Sequence, residues 1–312
     1  MNMKKRVLYQ FIKTNLRMWS KTPSRYPLPI GVLRSGMELG TRLMPLQPGT
    51  QVETLQLNGV STECVSQATA EEVAILHFHG GGFMLGSPAS HRGLASELAA
   101  RTGAKVYVPD YRLAPEHACP AALDDCLAAW QGLLEMGFVP GNIVLSGDSA
   151  GGALALALAQ TLRDANQALP AALVLMSPYL DSTLEADSIH TCRRRDPMLT
   201  RQLLKRGSDG YRGELPADDP RVSPLFGDQT GLPPILLQVG SEEILRDDAI
   251  RLTARCKSAG VAITHQVFPG MWHDFQLFSR FVDEAGVALD DIAAFVALQW
   301  EQTGARTGHD TV

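Results

Sequence analysis

The sequence predicts an α/β fold with a mainly parallel central sheet and helices on both of its faces. Short apolar runs typical of buried strands alternate along the chain with longer helical runs. Parallel strands need crossover connections of this kind, which helices normally supply. The predicted strands lie near 52–58, 73–78, 105–109, 143–147, 172–177, 235–240 and 263–268. The clearest helical runs are Ala121–Glu135, Ala150–Arg163, Asp247–Ser258 and Glu284–Gln299.

Two segments fall outside this alternation. Between about 181 and 231 the alternation of strands and helices stops, and the sequence is polar and contains prolines. We interpret this segment, together with roughly the first 45 residues, as a cap that covers the site. The predicted organisation is therefore a single domain over 1–312, with a cap formed by about 1–45 and about 181–231.

Composition describes a globular chain and argues against several classes of function. Of the 312 residues, 45% are hydrophobic and the formal net charge is −5, so nothing indicates a nucleic-acid partner. The five cysteines are scattered, odd in number and without C-x-x-C spacing. We therefore expect a reducing cytoplasm, and neither a disulfide framework nor a zinc site. No metal or organic cofactor is implied.

The segment Gly147–Gly151 (GDSAG) fits G-x-S-x-G, the sharp turn that presents a nucleophilic serine between a strand and a helix. Ile143–Ser146 before it is typical of a short buried strand, and Ala153–Ala159 after it of an apolar helix. Glycine suits such a turn because a side chain would clash where the backbones approach each other. The pattern predicts Ser149 as a nucleophile, and the alternative is an ordinary glycine-rich connection.

The segment His79–Gly82 (HGGG) follows another predicted strand. Three consecutive glycines leave backbone N–H groups unshielded, so these groups can converge on an anion. In an acyl-transfer enzyme that anion is the oxygen of the tetrahedral intermediate. A phosphate-binding loop is the alternative, but no Gly-Lys-Ser/Thr follows and no G-x-G-x-x-G spacing is completed.

These motifs resemble those of a known family. HGGGF at 79–83, YRLAPEH at 111–117 with Pro120, and GDSAGG at 147–152 are similar to the hormone-sensitive lipase-like esterases, or bacterial family IV. The resemblance runs from about Val73 to about Phe275, and more loosely to the C-terminus. It implies an α/β-hydrolase fold with a helical cap, and hydrolysis of carboxylic esters with short or medium acyl chains. Many members form homodimers, although no residue here decides the oligomeric state.

The order of catalytic residues in this fold is serine, acid, then histidine. Downstream of the serine lie His190 in the predicted cap, His265 in an alternating strand, His273 in a turn cluster, and His309 in a polar tail that we expect to be disordered. His265 should face solvent or pack passively. His273 and its companions Asp274–Phe275 match the histidine loop of the family, so we predict His273 as the catalytic base.

The acid is the least determined member of the triad. Four carboxylates crowd Ser241–Asp248, after the sixth predicted strand. The family usually has an aspartate followed by Pro-Leu, and the alignment puts Glu243 in the place of that aspartate and Ile244 in the place of the proline. A glutamate can orient the histidine ring, whereas an acid at a helix N-terminus can simply stabilise the helix dipole. We predict Glu243, with Asp247 and Glu242 as alternatives.

The predicted function is hydrolysis of a small-molecule carboxylic ester by Ser149, with His273 as base and Glu243 as the acid that orients it. His79 is expected to support the glycine loop through a side-chain hydrogen bond. The predicted oxyanion donors are the backbone amides of Gly81, Gly82 and Ala150.

Two other functions are open on the sequence. An amidase or peptidase could use the same triad. A non-catalytic small-molecule receptor is the second alternative, because plant gibberellin receptors share this fold and both glycine motifs. Those receptors lack the catalytic histidine, whereas His273 is present here.

The first 25 residues form a predicted amphipathic helix with seven basic residues and no acid. This is no secretory signal, because Lys13 and Arg17 interrupt any apolar core. Contact with a membrane surface is one interpretation. We prefer a cap helix whose apolar face lines the acyl entrance. The apolar residues that recur at helical spacing are Val7, Leu8, Phe11, Ile12 and Leu16.

Overall fold

The computed structural model describes residues 3–21, 28–41 and 44–305. His309 and parts of the predicted cap segment 1–45 therefore lie outside the described residues. Within the described ranges, no helix combines the length and the apolar character needed to cross a bilayer.

Among the described residues, eight strands, numbered along the chain, form one sheet in the order β1-β2-β4-β3-β5-β6-β7-β8. The pairs from β4 through β8 are parallel, whereas β1 and β2 run antiparallel to their neighbours. The predicted fold class, an α/β fold with a mainly parallel sheet, is thereby confirmed. The strands are β1 Gln51–Leu57, β2 Val60–Ser66, β3 Ala74–Phe78, β4 Lys105–Pro109, β5 Ile143–Asp148, β6 Ala172–Met176, β7 Ile235–Gly240 and β8 Ile263–Phe268.

Helices cover both faces of the sheet. Successive residues of a strand point to opposite faces. In β5 the side chain of Leu145 joins the core on one face and that of Val144 joins the core on the other. The helices are α1 Met3–Leu16, α2 Ile30–Thr41, α3 Pro88–Thr102, α4 Ala121–Glu135, α5 Ala150–Asp164, α6 Ser188–Thr191, α7 Arg201–Arg212, α8 Arg246–Ser258 and α9 Asp283–Thr303. A π-helical turn, Arg17–Lys21, continues α1, and 3₁₀ turns occupy Pro140–Asn142, Pro224–Phe226 and Phe275–Phe278.

One strand was absent from the sequence prediction. Strand β2 pairs with β1 through a two-residue turn at Asn58 and Gly59, whose φ angles are 45° and 86°. Polar residues in β2, such as Thr62 and Glu63, hid its alternation. The signal that could have found it is the Asn-Gly pair, since both of its residues tolerate the positive φ that a tight hairpin turn needs.

The segment between β6 and β7 contains no strand and two helices, α6 and α7. We call residues 181–231 the cap segment and propose that it covers the site together with α1 and α2. Helix α7 crosses the HGGG loop closely, because a Cβ added at Gly207 would lie 2.5 Å from the carbonyl oxygen of Gly82.

Candidate active site

The chemically important loops leave the sheet at one edge. Strands β3, β5, β6, β7 and β8 are mutually parallel, so their carboxyl ends meet there, as is usual for sites in open α/β sheets. The residues that follow these ends are His79 after β3, Ser149 after β5, Ser177 after β6, Glu243 after β7 and His273 after β8.

Ser149 occupies a strained turn between β5 and α5. Its φ and ψ angles of 51° and −118° are unusual for a residue with a side chain. Its amide donates a hydrogen bond of 2.9 Å to the carbonyl of Met176 on the neighbouring strand, which fixes the turn. Gly151 is required because any Cβ there would collide with the carbonyl oxygen of Phe78.

The structure brings the three predicted residues together. Ser149 Oγ lies 3.0 Å from His273 Nε2, and His273 Nδ1 lies 3.1 Å from Glu243 Oε2. All three side chains are buried, with Glu243 fully so. The histidine ring therefore lies between a hydroxyl and a carboxylate, which is the geometry that allows a base to take the proton of a serine.

Two further side chains fix Glu243 and the turn that carries it, and sequence reasoning missed both. Ser177 Oγ donates a 2.7 Å hydrogen bond to Glu243 Oε1, which also accepts the amide of Gly240. The amide of Ile244 donates to Asp196 Oδ2 at 3.0 Å. Ser177 could have been found from its position directly after β6, whereas Asp196 lies in the cap segment, where no periodic pattern indicates contacts.

The other candidate acids are engaged elsewhere. Asp247 Oδ2 accepts the amide of Ser188 at 2.8 Å, and Asp247 Oδ1 pairs with Arg246, so this carboxylate joins α8 to α6. Glu242 Oε2 lies 2.7 Å from Lys13 Nζ on α1.

Asp274 brings a second carboxylate to His273. The sequence analysis used this residue only to match the histidine loop of the family. Its Oδ2 lies 3.0 Å from His273 Nε2, the same nitrogen that contacts Ser149. Burial would lower the pKa of His273, but Asp274 and Glu243 outweigh burial and raise it well above its usual value. Burial also raises the pKa of Asp274 to about 7, although the histidine opposes this. When His273 is protonated, its Nε2–H therefore has two possible acceptors, Ser149 Oγ and Asp274 Oδ2.

The glycine loop, His79–Gly82, runs past the nucleophile. Gly81 has a φ of 125° and any Cβ there would collide with the carbonyl of Leu85, so no other residue fits. The loop is closed by the amide of Leu85, which donates to the carbonyl of Gly81 at 3.0 Å. The amides of Gly81, Gly82 and Ala150 form no hydrogen bond with any described residue. These three amides are therefore unoccupied donors among the described residues.

His79 is buried at the start of the glycine loop. Its ring stacks on Tyr111 with centroids 4.2 Å apart, and its Nδ1 lies 2.9 Å from the carbonyl oxygen of Gly80. The hydroxyl of Tyr111 donates to the carbonyl of His79 at 2.6 Å. Burial lowers the pKa of His79 to about 3, so the ring is neutral and its Nδ1–H can donate to Gly80.

A buried ionic cluster lies beneath the elbow and the glycine loop. Asp148 Oδ1 is 3.1 Å from His77 Nε2, and Asp148 Oδ2 is 3.2 Å from His91 Nε2. Burial would raise the pKa of Asp148, but the two histidines outweigh it and hold that pKa well below its usual value. Against the effect of burial, Asp148 raises the pKa of His91. Since a Cβ at Gly80 would collide with the Asp148 carboxylate, this cluster supports the loop from below.

Two other histidines that follow Ser149, His190 and His265, take no part in these contacts. His265 is half-buried on edge strand β8, and burial lowers its pKa. His190 is exposed on α6.

Known proteins resemble this chain over most of its length. A model of the alpha/beta hydrolase fold family matches residues 75–277. An esterase from Acinetobacter venetianus is 41% identical over 288 residues, covering 92% of this chain and 95% of that protein. An acetyl-hydrolase from Streptomyces hygroscopicus is 42% identical over 236 residues, covering 76% of this chain and 79% of that protein. The crystal structure of an esterase from the bacterial hormone-sensitive lipase family superimposes with a TM-score of 0.88 at 36% identity, covering 92% of this chain and 98% of that chain.

These similarities include the loops that carry the site as well as the sheet. The chain belongs to the α/β-hydrolase fold family, in its hormone-sensitive lipase-like group of bacterial esterases. The family resemblance indicated by the glycine motifs is therefore confirmed. One fold hosts many activities, so the reaction depends on the residues of the site.

Proposed function

We propose that this chain is a serine carboxylesterase that hydrolyses short- to medium-chain carboxylic esters through Ser149, His273 and Glu243. The broader class, carboxylic ester hydrolase, is the one to which its named relatives belong. The observation that carries the finer proposal is the pair of contacts at 3.0 Å and 3.1 Å that link Ser149 to His273 and His273 to Glu243.

In the proposed reaction, Ser149 Oγ bonds to the ester carbonyl carbon while His273 Nε2 takes the hydroxyl proton. Glu243 holds the ring and stabilises the imidazolium. When the tetrahedral intermediate collapses, the bond to the leaving alkoxide breaks and Nε2 gives it the proton. Water then repeats both steps on the acyl-enzyme and releases the carboxylic acid.

The proposed oxyanion hole consists of the amides of Gly81, Gly82 and Ala150. Their lack of partners among the described residues supports this role, because an oxyanion gains most from donors that are already fixed and unoccupied. Loss of one such donor costs on the order of 10²–10³ in kcat. His79 and Asp148 position the loop from behind rather than transferring protons to the substrate.

The restriction to short and medium acyl chains rests on how closely the site is covered. Ser149 is only 4% exposed, and Phe83 next to the glycine loop stacks on Tyr211 of α7 with ring centroids 4.0 Å apart. Met84, which follows the glycine loop in sequence, and Met271, which precedes His273, are both buried. A long acyl chain would have to displace this packing, whereas an acetyl or butyryl group needs little room.

The test is hydrolysis of p-nitrophenyl acetate, butyrate, octanoate and palmitate. We expect a short-chain optimum in the wild type and a loss of about 10⁴–10⁶ in kcat for Ser149→Ala. Glu243→Gln should lose about 10²–10⁴, because an amide holds the ring in the wrong tautomer. Asp247→Asn and Glu242→Gln are the matched controls and should keep most of the activity.

Near-normal activity of Glu243→Gln, with a strong loss in either control, would move the acid to Asp247 or Glu242. Cleavage of p-nitroanilides at rates comparable to those of the esters would favour an amidase. If the wild type cleaved none of the four esters, the proposed acyl range would be wrong.

A reducing, cytoplasmic location is part of the proposal. All five cysteines are unpaired, and four of them are buried, which is typical of proteins that are kept reduced. The homodimer implied by the family resemblance also stays a proposal, which size-exclusion chromatography with light scattering would test.

A further inference from the structure

Helix α1 has two apolar faces, and the described protein covers one of them. On the inner face, Tyr9 packs edge-on against Trp272 with ring centroids 6.1 Å apart. Lys13 Nζ on the same face binds Glu242 at 2.7 Å and the carbonyl of Gly270 at 3.1 Å. Half-buried Ile12 packs against the same group of buried residues, which includes Tyr9 and Trp272. The inner face therefore anchors α1 to the loop that carries His273.

The outer face leaves large apolar side chains in solvent. Val7, Phe11 and Met18 are 65%, 65% and 62% exposed. Together with exposed Thr14 they follow the i, i+4, i+7, i+11 spacing of a single stripe along the helix and its π-helical extension. The apolar residues that the sequence predicted as one face therefore lie on two faces of the helix. The outer stripe is an exposed apolar patch of the kind that marks an interaction surface.

Helix α2 repeats this arrangement at the same edge of the sheet. Val32 and Leu39 are 55% and 68% exposed. Arg34 fastens α2 to the loops after β3 and β4, donating to the carbonyls of Met84 at 2.8 Å and Ala114 at 3.0 Å. Both N-terminal helices therefore expose apolar side chains at the edge that carries the active site.

The charge of this region decides between partners. The first 37 residues contain eight Lys and Arg and no Asp or Glu, although the whole chain has a net charge of −5. Three of these eight cations pair with carboxylates of other elements. Arg6 and Arg17 flank the apolar stripe and form no ion pair with any described residue. In a two-fold dimer the same basic surface would face itself, and like charges would repel. An anionic surface attracts it.

We propose that α1 docks on an anionic lipid surface. Val7, Phe11 and Met18 would enter the boundary between headgroups and acyl chains, and Arg6 and Arg17 would lie at the level of the lipid phosphates. This docking turns the edge that carries the active site toward the lipid. It goes beyond ester hydrolysis and does not depend on which acyl chains are cleaved.

The test is co-sedimentation with vesicles of phosphatidylcholine, with and without phosphatidylglycerol. We expect the wild type to bind the anionic vesicles and to be released as salt rises, because screening weakens the attraction. The triple variant Val7→Ser/Phe11→Ser/Met18→Ser and the double variant Arg6→Glu/Arg17→Glu should each bind at least about tenfold more weakly.

The matched control is Val287→Ser/Leu298→Ser, which removes two apolar side chains of similar exposure from α9 and should leave binding unchanged. Every variant should hydrolyse soluble p-nitrophenyl acetate like the wild type, which shows that it is folded and keeps this test separate from that of the proposed function. A wild type that ignores the vesicles, or a triple variant that still binds them, would overturn the proposal. So would a wild-type dimer that the triple variant converts to a monomer, because the stripe would then be an interface between two copies.

Discussion

Asp274 contacts the same nitrogen of His273 that must take the proton of Ser149. His273 Nε2 is 3.0 Å from both Ser149 Oγ and Asp274 Oδ2. The carboxylate stabilises the imidazolium directly, whereas Glu243 acts on the opposite nitrogen. Two carboxylates on one ring explain why the pKa of His273 is raised despite its burial.

The pH dependence of Asp274→Asn follows from this geometry. The base must be neutral to act, so activity is lost as the pH falls through the pKa of His273. Removing one negative charge lowers that pKa, and we expect the acid limb of kcat/KM for p-nitrophenyl butyrate to move to lower pH by about one unit. Rates measured between pH 5 and 9 would show the shift.

Asp228→Asn, a change at an exposed carboxylate, is the control and should leave the profile in place. An unmoved acid limb in Asp274→Asn would mean that this side chain does not interact with the proton on Nε2.

At the scale of elements, helix α7 of the cap segment packs directly against the glycine loop. Gly207→Ala would place a Cβ 2.5 Å from the carbonyl oxygen of Gly82. Either the helix or the loop must move, and small misplacements of catalytic groups are costly. We expect kcat on p-nitrophenyl butyrate to fall by about 10–100-fold, with a smaller change in KM.

Gly210→Ala is the matched control on the same helix, since its Cβ would lie 3.6 Å from Pro115 Cβ, an ordinary contact. It should keep full activity and gain about 0.4–1 kcal/mol in the free energy of unfolding. Equal activity of the two variants would contradict a role for this helix in positioning the loop.

The elements that could be predicted were those with a local signal. Strands β5 and β7 each begin with a run of three apolar residues because helices bury both sides of a parallel sheet, and their ends located Ser149 and the acidic turn. Strand β2 was missed because its pairing depends on a neighbour rather than on its own composition. Asp196 escaped because its role is a contact across 48 residues of sequence, which one sequence does not reveal. Ser177 was indicated only by its position directly after β6.

At the scale of the molecule, the first helix and the last helix meet around the histidine loop. Tyr9 of α1 packs on Trp272, and its hydroxyl bonds to Glu284 and to the amide of Asp283 at the start of α9. Residues at opposite ends of the sequence thus stabilise the residue that precedes His273.

Tyr9→Ala would leave a cavity beside Trp272, which is fully buried. We expect the free energy of unfolding in urea to fall by about 3 kcal/mol, in the range of large-to-small substitutions of buried aromatic residues. Phe11→Ala, two residues further along but on the exposed face, should change it by no more than about 0.5 kcal/mol. Equal losses of stability in Tyr9→Ala and Phe11→Ala would show that the packing of α1 does not stabilise the loop that carries His273.

The hydrogen bond from the Ile244 amide to Asp196 has a consequence for protein engineering. Proline, which the family usually has at this position, carries no amide hydrogen. A relative with that proline therefore has no hydrogen-bond donor here for a carboxylate such as Asp196. A chimera that exchanges residues 181–231 with such a relative would therefore separate donor from acceptor. Recombination schemes that graft new substrate ranges onto this chain should transfer Asp196 and Ile244 as a pair.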